Sequence, residues 1–459
     1  MNLPRLIIAD EVRPVTVPDG VTLVYAMVRA GLKVKLFVCG REEADVYLLK
    51  KLMGESPVVL DTWTCGSMKN LKNIFQEAAD PSALNVVLVS LGERGEEEIA
   101  QVRPEVTELA QALSCGVVTL FSAAASAMLM SGIAMSVLSG FERPEGNLAQ
   151  GAIFTSVRNP REYQLLEQDY GRKTPVLTLG YIPRDLERPK FVLRELYNPA
   201  AATRVLQLRS ASMQLASAVN QVEWQILDAF GRLKQEWVPP QVVRTPSKHI
   251  RVAIVGDSAI SLEGAEVGGL FRLLGCEVRD YDPWQDPFPT DAEVIYFPHS
   301  LGWCYAQRLL QNEAFRDGIL QSIATNHLVF VNGGSAPLFG RYLVSPDGEK
   351  YDGLGVFSFH GQYSPHKGSM NLHRVEARCT VDTFIGRQEE KLRGYALDYV
   401  TVANPGNQVP ATMAYRDVRR NVELGNTGWV KGYCFATDLH LDLWSNIEFV
   451  NRWLSLRKR

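Results

Sequence analysis

The residues most suited to chemistry lie in Leu328–Gly340, which reads Leu-Val-Phe-Val-Asn-Gly-Gly-Ser-Ala-Pro-Leu-Phe-Gly. Four apolar, β-prone residues followed at once by Asn332, Gly333 and Gly334 predict a buried parallel strand ending in a sharp turn. In an α/β sheet, a nucleophile or a ligand sits just beyond the carboxyl end of such a strand. Paired glycines let the backbone turn tightly and bring its N–H groups close to a reacting oxygen. Covalent chemistry at this turn needs Cys or Ser, and the residue there is Asn332, whose amide is no nucleophile.

A second place for chemistry is the loop after the first apolar run, Ala9–Gly20. Cradling phosphates takes several glycines, then a lysine and a Ser or Thr for the terminal phosphates and Mg²⁺. The loop has a single glycine, Gly20, no lysine, and the acids Asp10, Glu11 and Asp19, which repel phosphate. A structural loop with a dismantled nucleotide site is expected.

The elements that would position these residues alternate. Strands are expected at Leu6–Ile8, Lys33–Val38, Asn85–Val89, Val117–Phe121, Gly151–Val157 and Val176–Leu179, with helices such as Val21–Ala30, Val102–Leu113 and Pro160–Tyr170 between them. This is the pattern of right-handed crossovers and a doubly wound parallel sheet, and it defines an N-terminal domain over residues 1–199. Residues 200–248 are expected to form a connector: a long helix over Ala200–Lys234, then an extended linker with Pro239, Pro240 and Pro246. A second α/β pattern fills 249–459. Its strands are expected at Arg251–Val255, Glu277–Asp280, Glu293–Phe297 and Leu328–Val331, and its helices at Ala265–Leu274 and Tyr305–Ile323. A β-rich stretch follows, with Leu372–Ala377, Tyr395–Val402, Pro410–Tyr415 and Gly432–Thr437 as strands and Ile447–Leu456 as the closing helix.

At 459 residues the chain exceeds one ordinary core, in keeping with this division. A net charge of −3 gives no basic face for nucleic acid. The seven cysteines form no C-x-x-C pair and are odd in number, so neither a zinc site nor a disulfide framework is expected, and reduced thiols in a cytoplasmic protein are. No signal peptide is read at the start. The most apolar segment, Val117–Leu138, is interrupted by Ser122, Ser126, Ser131 and Gly132, and suits a core strand and helix rather than a membrane span.

Several segments together resemble the cobyrinate a,c-diamide synthase family, ATP-dependent glutamine amidotransferases acting on tetrapyrrole carboxylates. Leu36–Asp45 ends in Cys39-Gly40-Arg41-Glu42-Glu43-Ala44-Asp45 and is followed by Leu60-Asp61-Thr62-Trp63, as a Gly-Pro-Asp-Tyr-Ile-Asp turn and a Leu-Asp-x-Trp motif are in the family. Asn159–Leu166 and Leu179–Asp185 also match family segments, and in the C-terminal half Pro298–Gly302, Val331–Gly334 and Ala436–Asn446 do so. The resemblance implies a P-loop-like domain joined to a flavodoxin-like, class I glutamine amidotransferase-like domain, with a cleft between them.

It also implies roles. Glu42 and Asp45 take the places of acids that bind metal, nucleotide and substrate; their other reading is as helix-capping acids after a strand. Ser90 stands where the family has a magnesium-ligating acid, and cannot replace its charge. Asn332 falls on the nucleophile, His299 and Ser300 on the oxyanion loop, Gly333 and Gly334 on the elbow, and His440 on the base, while Asp442 replaces a second His. Leu392–Tyr399 replaces a Gly-His-Glu-Phe-His segment. Cys304, Cys434, His327 and His360 have no motif behind them and read as structural, which is also the simplest reading of His299.

The expected function is therefore a family homologue silent at both the ATP and the glutaminase site, binding a corrinoid or other tetrapyrrole carboxylate or acting as a regulatory partner. Two alternatives remain: an active a,c-diamide synthase using glutamine or ammonia, or a protein-binding scaffold of an active paralogue or homodimer. No resident metal or cofactor is expected, since the family's ATP and Mg²⁺ meet a degraded site. Trp303 and Tyr305 are candidate stacking partners for a flat macrocycle.

Overall fold

The computed structural model describes residues 3–12, 18–39, 43–93, 104–123, 138–143, 146–184, 222–232, 237–240, 249–256, 261–364, 372–403 and 410–456, with residues 207, 210, 213, 214, 217 and 219 between them. The chain forms two compact units. One comprises Met1–Met53, Pro57–Thr62 and Leu71–Pro240; the other comprises Gly54–Ser56, Trp63–Asn70 and Gln241–Arg459.

The first unit is built on strands β1 (Arg5–Val12), β2 (Val34–Cys39), β3 (Val58–Val59), β4 (Leu84–Glu93), β5 (Val117–Ser122), β8 (Ala149–Val157) and β9 (Leu177–Pro183), with a small hairpin, β6 (Glu142–Arg143) and β7 (Gly146–Asn147), preceding β8. The seven principal strands lie in the order β3-β2-β4-β1-β5-β8-β9, every pair parallel. Their residues are apolar and buried along most of their length: Ile7, Ile8, Val86, Val87, Val117, Val118 and Ile153 are fully enclosed. Burial on both faces is what a parallel sheet covered by helices requires. Helices Asp19–Arg29, Glu43–Met53, Met68–Ala78, Pro104–Leu113 and Pro160–Gly171 make the crossovers. Their starts are chemically marked where Asn159 accepts the Glu162 N–H at 2.9 Å and Pro160 takes the first helical position.

One continuous helix through the connector is not what forms. Val222 and Glu223 are non-helical, the Glu223 N–H donates to the Leu179 carbonyl at 2.8 Å, and a new helix spans Trp224–Arg232. Glu223 thus spends its N–H on the sheet edge. Much of the expected helix lies outside the described residues.

The second unit has a six-stranded sheet from β10 (Arg251–Val255), β11 (Glu277–Tyr281), β12 (Val294–Phe297), β13 (Leu328–Val331), β22 (Trp429–Lys431) and β23 (Cys434–Ala436), in the order β11-β10-β12-β13-β23-β22. Its first five strands are parallel and, counted in chain order, run 2-1-3-4-5, the flavodoxin-like winding; β22 closes the edge antiparallel. A five-stranded antiparallel sheet, β21-β20-β17-β18-β24, is formed by β17 (Leu372–Cys379), β18 (Lys391–Leu397), β20 (Met413–Asp417), β21 (Val422–Thr427) and β24 (His440–Asp442). A smaller sheet joins β14 (Tyr342–Val344), β15 (Lys350–Asp352), β16 (His360–Tyr363) and β19 (Val400–Ala403).

Two expectations change here. The helix expected over Tyr305–Ile323 is two helices, Ala306–Gln311 and Glu313–Ala324, because Asn312 leaves the helical conformation (φ −74°, ψ 97°) and its side chain caps the second by accepting the Phe315 N–H. The strand expected over Tyr395–Val402 is divided between β18 and β19, in different sheets, with Asp398 and Tyr399 at the turn.

Candidate functional site

At the end of β13, whose four residues are all fully buried, the backbone turns as the sequence requires, but the strain falls beside the expected position. Asn332 keeps an ordinary extended conformation (φ −107°, ψ 137°) and its N–H donates to the Phe297 carbonyl at 2.9 Å, prolonging the strand. Gly333 takes the left-handed conformation, φ +56°. A Cβ there would lie 2.3 Å from His299 Nδ1, and one on Gly334 would lie 2.0 Å from the Ser300 carbonyl oxygen. Both glycines are required by the close approach of the loop Pro298–Gly302.

The Asn332 side chain is fully engaged. Its Oδ1 accepts the Leu441 N–H at 2.9 Å and its Nδ2 donates to the Leu441 carbonyl at 2.9 Å, so the amide engages both backbone groups of one residue of β24. The same Nδ2 approaches Glu263 Oε1 at 2.7 Å and the Tyr296 hydroxyl at 3.0 Å. Asn332 thereby joins the parallel sheet to the five-stranded one.

Glu263 was not legible as a site residue. It stands in a polar Ser-Leu-Glu-Gly turn just before a helix, where an acid looks ordinary. In the fold it is buried, and its carboxylate accepts the His299 N–H at 2.7 Å and the Tyr296 hydroxyl at 2.9 Å besides the Asn332 amide. His440 Nε2 lies 3.6 Å from the same carboxylate. Burial, and then the neighbouring Glu263 charge, push the Tyr296 phenol well above its ordinary range, so it stays a donor.

His299 is completely buried. Its Nδ1 accepts the Gly334 N–H at 2.9 Å and its Nε2 meets the Tyr399 hydroxyl at 2.8 Å. A ring whose Nδ1 accepts carries its single proton on Nε2, so His299 is neutral and donates to Tyr399. Its ring stacks on that of His440, with centroids 4.7 Å apart. Ser300 is equally buried. Ser335 Oγ donates to the Pro298 carbonyl at 2.7 Å, so Ser300 gives its proton to Ser335 at 2.5 Å and the Tyr305 hydroxyl donates to Ser300. Tyr305 is buried with its hydroxyl used in this way and presents no stacking surface, contrary to expectation; Trp303 is half-buried in the single turn Gly302–Cys304.

An oxyanion hole needs donors aimed at an unoccupied position. Here the Gly333 N–H donates to the Leu439 carbonyl at 3.0 Å, that of Gly334 to His299, and that of His299 to Glu263. All three donors are taken by the protein. No other thiol stands in for a nucleophile by exposure: six of the seven cysteines are buried and Cys304 is half-buried. Burial pushes the Cys379 thiol up to about 11 and that of Cys115 up to about 12. His360 stacks on Tyr342, centroids 4.7 Å apart.

In the first unit the candidate phosphate position is at the end of β1. Asp10 is fully buried, and its Oδ2 accepts the N–H of Gly20, the second residue of the helix Asp19–Arg29, at 2.7 Å. That helix has no capping bond from its own N-cap residue, Pro18, so the strand's carboxylate caps it. A helix N-terminus after the first strand is where a phosphate would bind, and here a side-chain anion occupies it. A Cβ on Gly20 would lie 2.7 Å from that carboxylate oxygen. Ser90, paired in register with Asp10 on β4, is buried, and its hydroxyl has no hydrogen-bond partner among the described residues. Residues 13–17 and Glu42 lie outside the described residues, and of Asp45 only the backbone, in the helix Glu43–Met53, is described. Among the described residues no three His, Cys, Asp or Glu side chains gather as a metal site, and no helix is long and apolar enough to cross a membrane.

The structure thus brings Asn332, Gly333, Gly334, His299, Ser300 and His440 into one enclosed network, with Glu263, Tyr296 and Tyr399 as unforeseen members. Residues 251–447 match the family of CobB/CobQ-like glutamine amidotransferase domains. The chain is 21% identical over 429 residues to the cobyrinate a,c-diamide synthase of Caldanaerobacter subterraneus subsp. tengcongensis, covering 92% of this chain and 91% of the relative. It is 23% identical over 462 residues to that of Thermoplasma volcanium (99% and 97% covered) and 20% identical over 449 residues to that of Listeria monocytogenes (95% of each).

Proposed function

We propose that this chain, which resembles cobyrinate a,c-diamide synthases along almost its whole length, is a catalytically silent homologue that binds a carboxylate-bearing tetrapyrrole and transfers no amide nitrogen. The observation that carries this reading is the Asn332 side chain, engaged with both the N–H and the carbonyl of Leu441 at the elbow. Releasing ammonia from glutamine takes a thiolate or alkoxide that bonds to the carboxamide carbon, and donors for the oxyanion that forms. An amide whose nitrogen lone pair is delocalised and whose N–H groups are engaged offers no electron pair. Loss of the nucleophile in a well-studied triad costs about a million-fold. His440, stacked on a neutral His299 and 3.6 Å from Glu263, then has no proton to take from a nucleophile.

The amide-forming half supports the same reading. Activating a carboxylate with ATP needs a phosphate cradle and Mg²⁺ ligands. Asp10 places a negative charge on the helix terminus, and Ser90 offers a hydroxyl where a metal ligand would be charged. Glu42 and Asp45 remain the first unit's candidates for meeting the substrate.

Two measurements test this. Purified protein with glutamine should release no glutamate above blank, and steady release abolished by His440→Ala would overturn the glutaminase half. Titration with cobyrinate precursors and sirohydrochlorin should perturb their absorbance. Phosphate release from ATP in the presence of a tetrapyrrole acid and ammonia would instead mark a working synthase. No response to any tetrapyrrole would leave a protein-binding scaffold.

A further inference from the structure

We infer that Asn332-Gly333 is a self-modification site: silent while the second unit is folded, it converts to aspartate or isoaspartate when the unit opens, and makes that opening irreversible. Of the asparagines in the sequence, only Asn332 is followed by glycine. A residue without a Cβ leaves its backbone nitrogen open to approach by the preceding side chain. In an unfolded chain that nitrogen, having lost its proton to base, bonds to Asn332 Cγ. The Cγ–Nδ2 bond breaks, and Nδ2 leaves as ammonia, taking up a proton. Water then opens the cyclic imide at either of its carbonyl carbons, giving aspartate or isoaspartate. Water is consumed, ammonia is released, and nothing is oxidised or reduced.

In the folded unit every group that this step needs is held. The Gly333 N–H donates to the Leu439 carbonyl at 3.0 Å, which keeps its proton in place. The leaving amide is bound through Nδ2 to the Leu441 carbonyl and to Glu263, and through Oδ1 to the Leu441 N–H. Asn332 is fully buried, so bulk base and water are kept from Cγ. The backbone guards belong to one short segment, Leu439–Leu441. That segment is held in turn by β18, where Gly394 faces Leu441 and a Cβ would lie 2.2 Å from the His440 carbonyl oxygen. Conversion therefore requires β24 to part from the elbow, which is a local opening of the fold.

The product does not fit the place that the amide leaves. An aspartate has no N–H for the Leu441 carbonyl or for Glu263, whose Oε1 lies 2.7 Å from Nδ2 in the intact chain. It sets two carboxylates against each other in a buried site, where like charges disfavour each other's ionised form. Isoaspartate also adds a methylene to the backbone just before Gly333, at φ +56°, and Gly334. There the loop carrying His299 and Ser300 leaves no room even for a Cβ. A chain that opens and converts does not close again.

The full chain is held in mildly alkaline buffer, folded or in denaturant, and the amide-to-acid mass gain at Asn332 is followed by tandem mass spectrometry. In denaturant Asn332 should convert faster than the other asparagines. In the folded chain it should convert at least about a hundredfold more slowly than in denaturant, because the step proceeds only in the opened fraction. Gly394→Ala, which crowds β24 from the β18 side, should speed conversion in native buffer by about tenfold or more. After the denaturant is removed, recovery of native fluorescence should fall in step with conversion. Chains denatured for the same time in mild acid, where the Gly333 nitrogen keeps its proton, should recover. Equal rates in the folded and denatured chain, or no preference for Asn332 in denaturant, would overturn the site. A Gly394→Ala rate equal to that of the parent would overturn the guarding role of β24. Native recovery of converted chains, or failure of the acid-held chains to recover, would overturn the irreversibility.

Discussion

Each unit buries a carboxylate that accepts a backbone N–H, Asp10 in the first and Glu263 in the second. The extent of the bonding around the two differs. In the first unit one carboxylate caps one helix, and the neighbouring buried Ser90 hydroxyl finds no hydrogen-bond partner among the described residues. In the second, Asn332, Glu263, Tyr296, His299 and Tyr399 satisfy one another and the backbone on two sheets. A buried network of mutually bonded polar groups rigidifies the elements it joins. The elbow is bonded into both sheets, whereas at the end of β1 the Asp10 carboxylate accepts an N–H from the first turn of one helix.

The largest effect expected from this difference is at Asn332. Asn332→Ala leaves the Leu441 N–H and carbonyl and one Glu263 bond without partners, at about 1–3 kcal/mol for each buried group. A loss of about 3–5 kcal/mol in unfolding free energy of the second unit, read by denaturant titration, is expected. Asn332→Cys should also destabilise, and should release no glutamate from glutamine because the Gly333, Gly334 and His299 donors remain engaged. Glutamate release by Asn332→Cys alone would show that the elbow is an intact catalytic scaffold and would erase the distinction between the two units.

A pH effect comes next in size. Asp438, on the segment from β23 to β24 that carries His440, has its carboxyl raised to about 6, chiefly by burial, against the lowering effect of the bond it accepts from Thr427 at 2.6 Å. The folded state therefore holds this proton more tightly than the unfolded one. Its contribution is fully present below pH about 4 and is lost as pH rises through about 6. The difference in unfolding free energy between Asp438→Asn and the parent should grow by about 2 kcal/mol in favour of the variant between pH 4 and pH 7. A difference independent of pH would mean that the carboxylate is well solvated.

Both windings were legible because burial on two faces leaves continuous apolar strands such as Val86–Leu88 and Leu328–Val331, and crossovers have one hand. Asn332 and its two glycines were equally legible, since only a sharp turn after a buried strand calls for that sequence. Glu263 and Tyr399 were not. Their roles arise where loops from different strands meet, and nothing local distinguishes an acid that will accept a distant backbone N–H from one at the start of a helix. The break at Asn312 shows the complementary limit: the cap signal was present, but the apolar spacing ran through it. Likewise the strand through Tyr395–Val402 was read across a turn whose Tyr399 is turned inward to His299.

The phosphate position should respond more mildly than the elbow. Asp10→Ala removes one helix cap and should cost about 1 kcal/mol, on the scale of N-cap substitutions. Because the Gly20 N–H then loses its internal acceptor, millimolar inorganic phosphate should raise the melting temperature of Asp10→Ala and leave that of the parent unchanged. A loss as large as that of Asn332→Ala would mean that this position, too, has become part of the framework.

The smallest effect carries the sharpest sign. Ser90→Ala and Ser300→Ala make the same chemical change at two buried hydroxyls. Buried Ser90 Oγ has no hydrogen-bond partner among the described residues, so its removal should leave stability unchanged or raise it by up to about 1 kcal/mol. Ser300 Oγ is bonded to Ser335 and Tyr305, and its removal takes a donor from Ser335 and an acceptor from the Tyr305 hydroxyl, at a cost of about 1–2 kcal/mol. Opposite signs in the two variants, measured by denaturant titration, are what a filled position beside a rebuilt one requires. A destabilising Ser90→Ala would mean that the hydroxyl is engaged, and would remove this contrast between the two units.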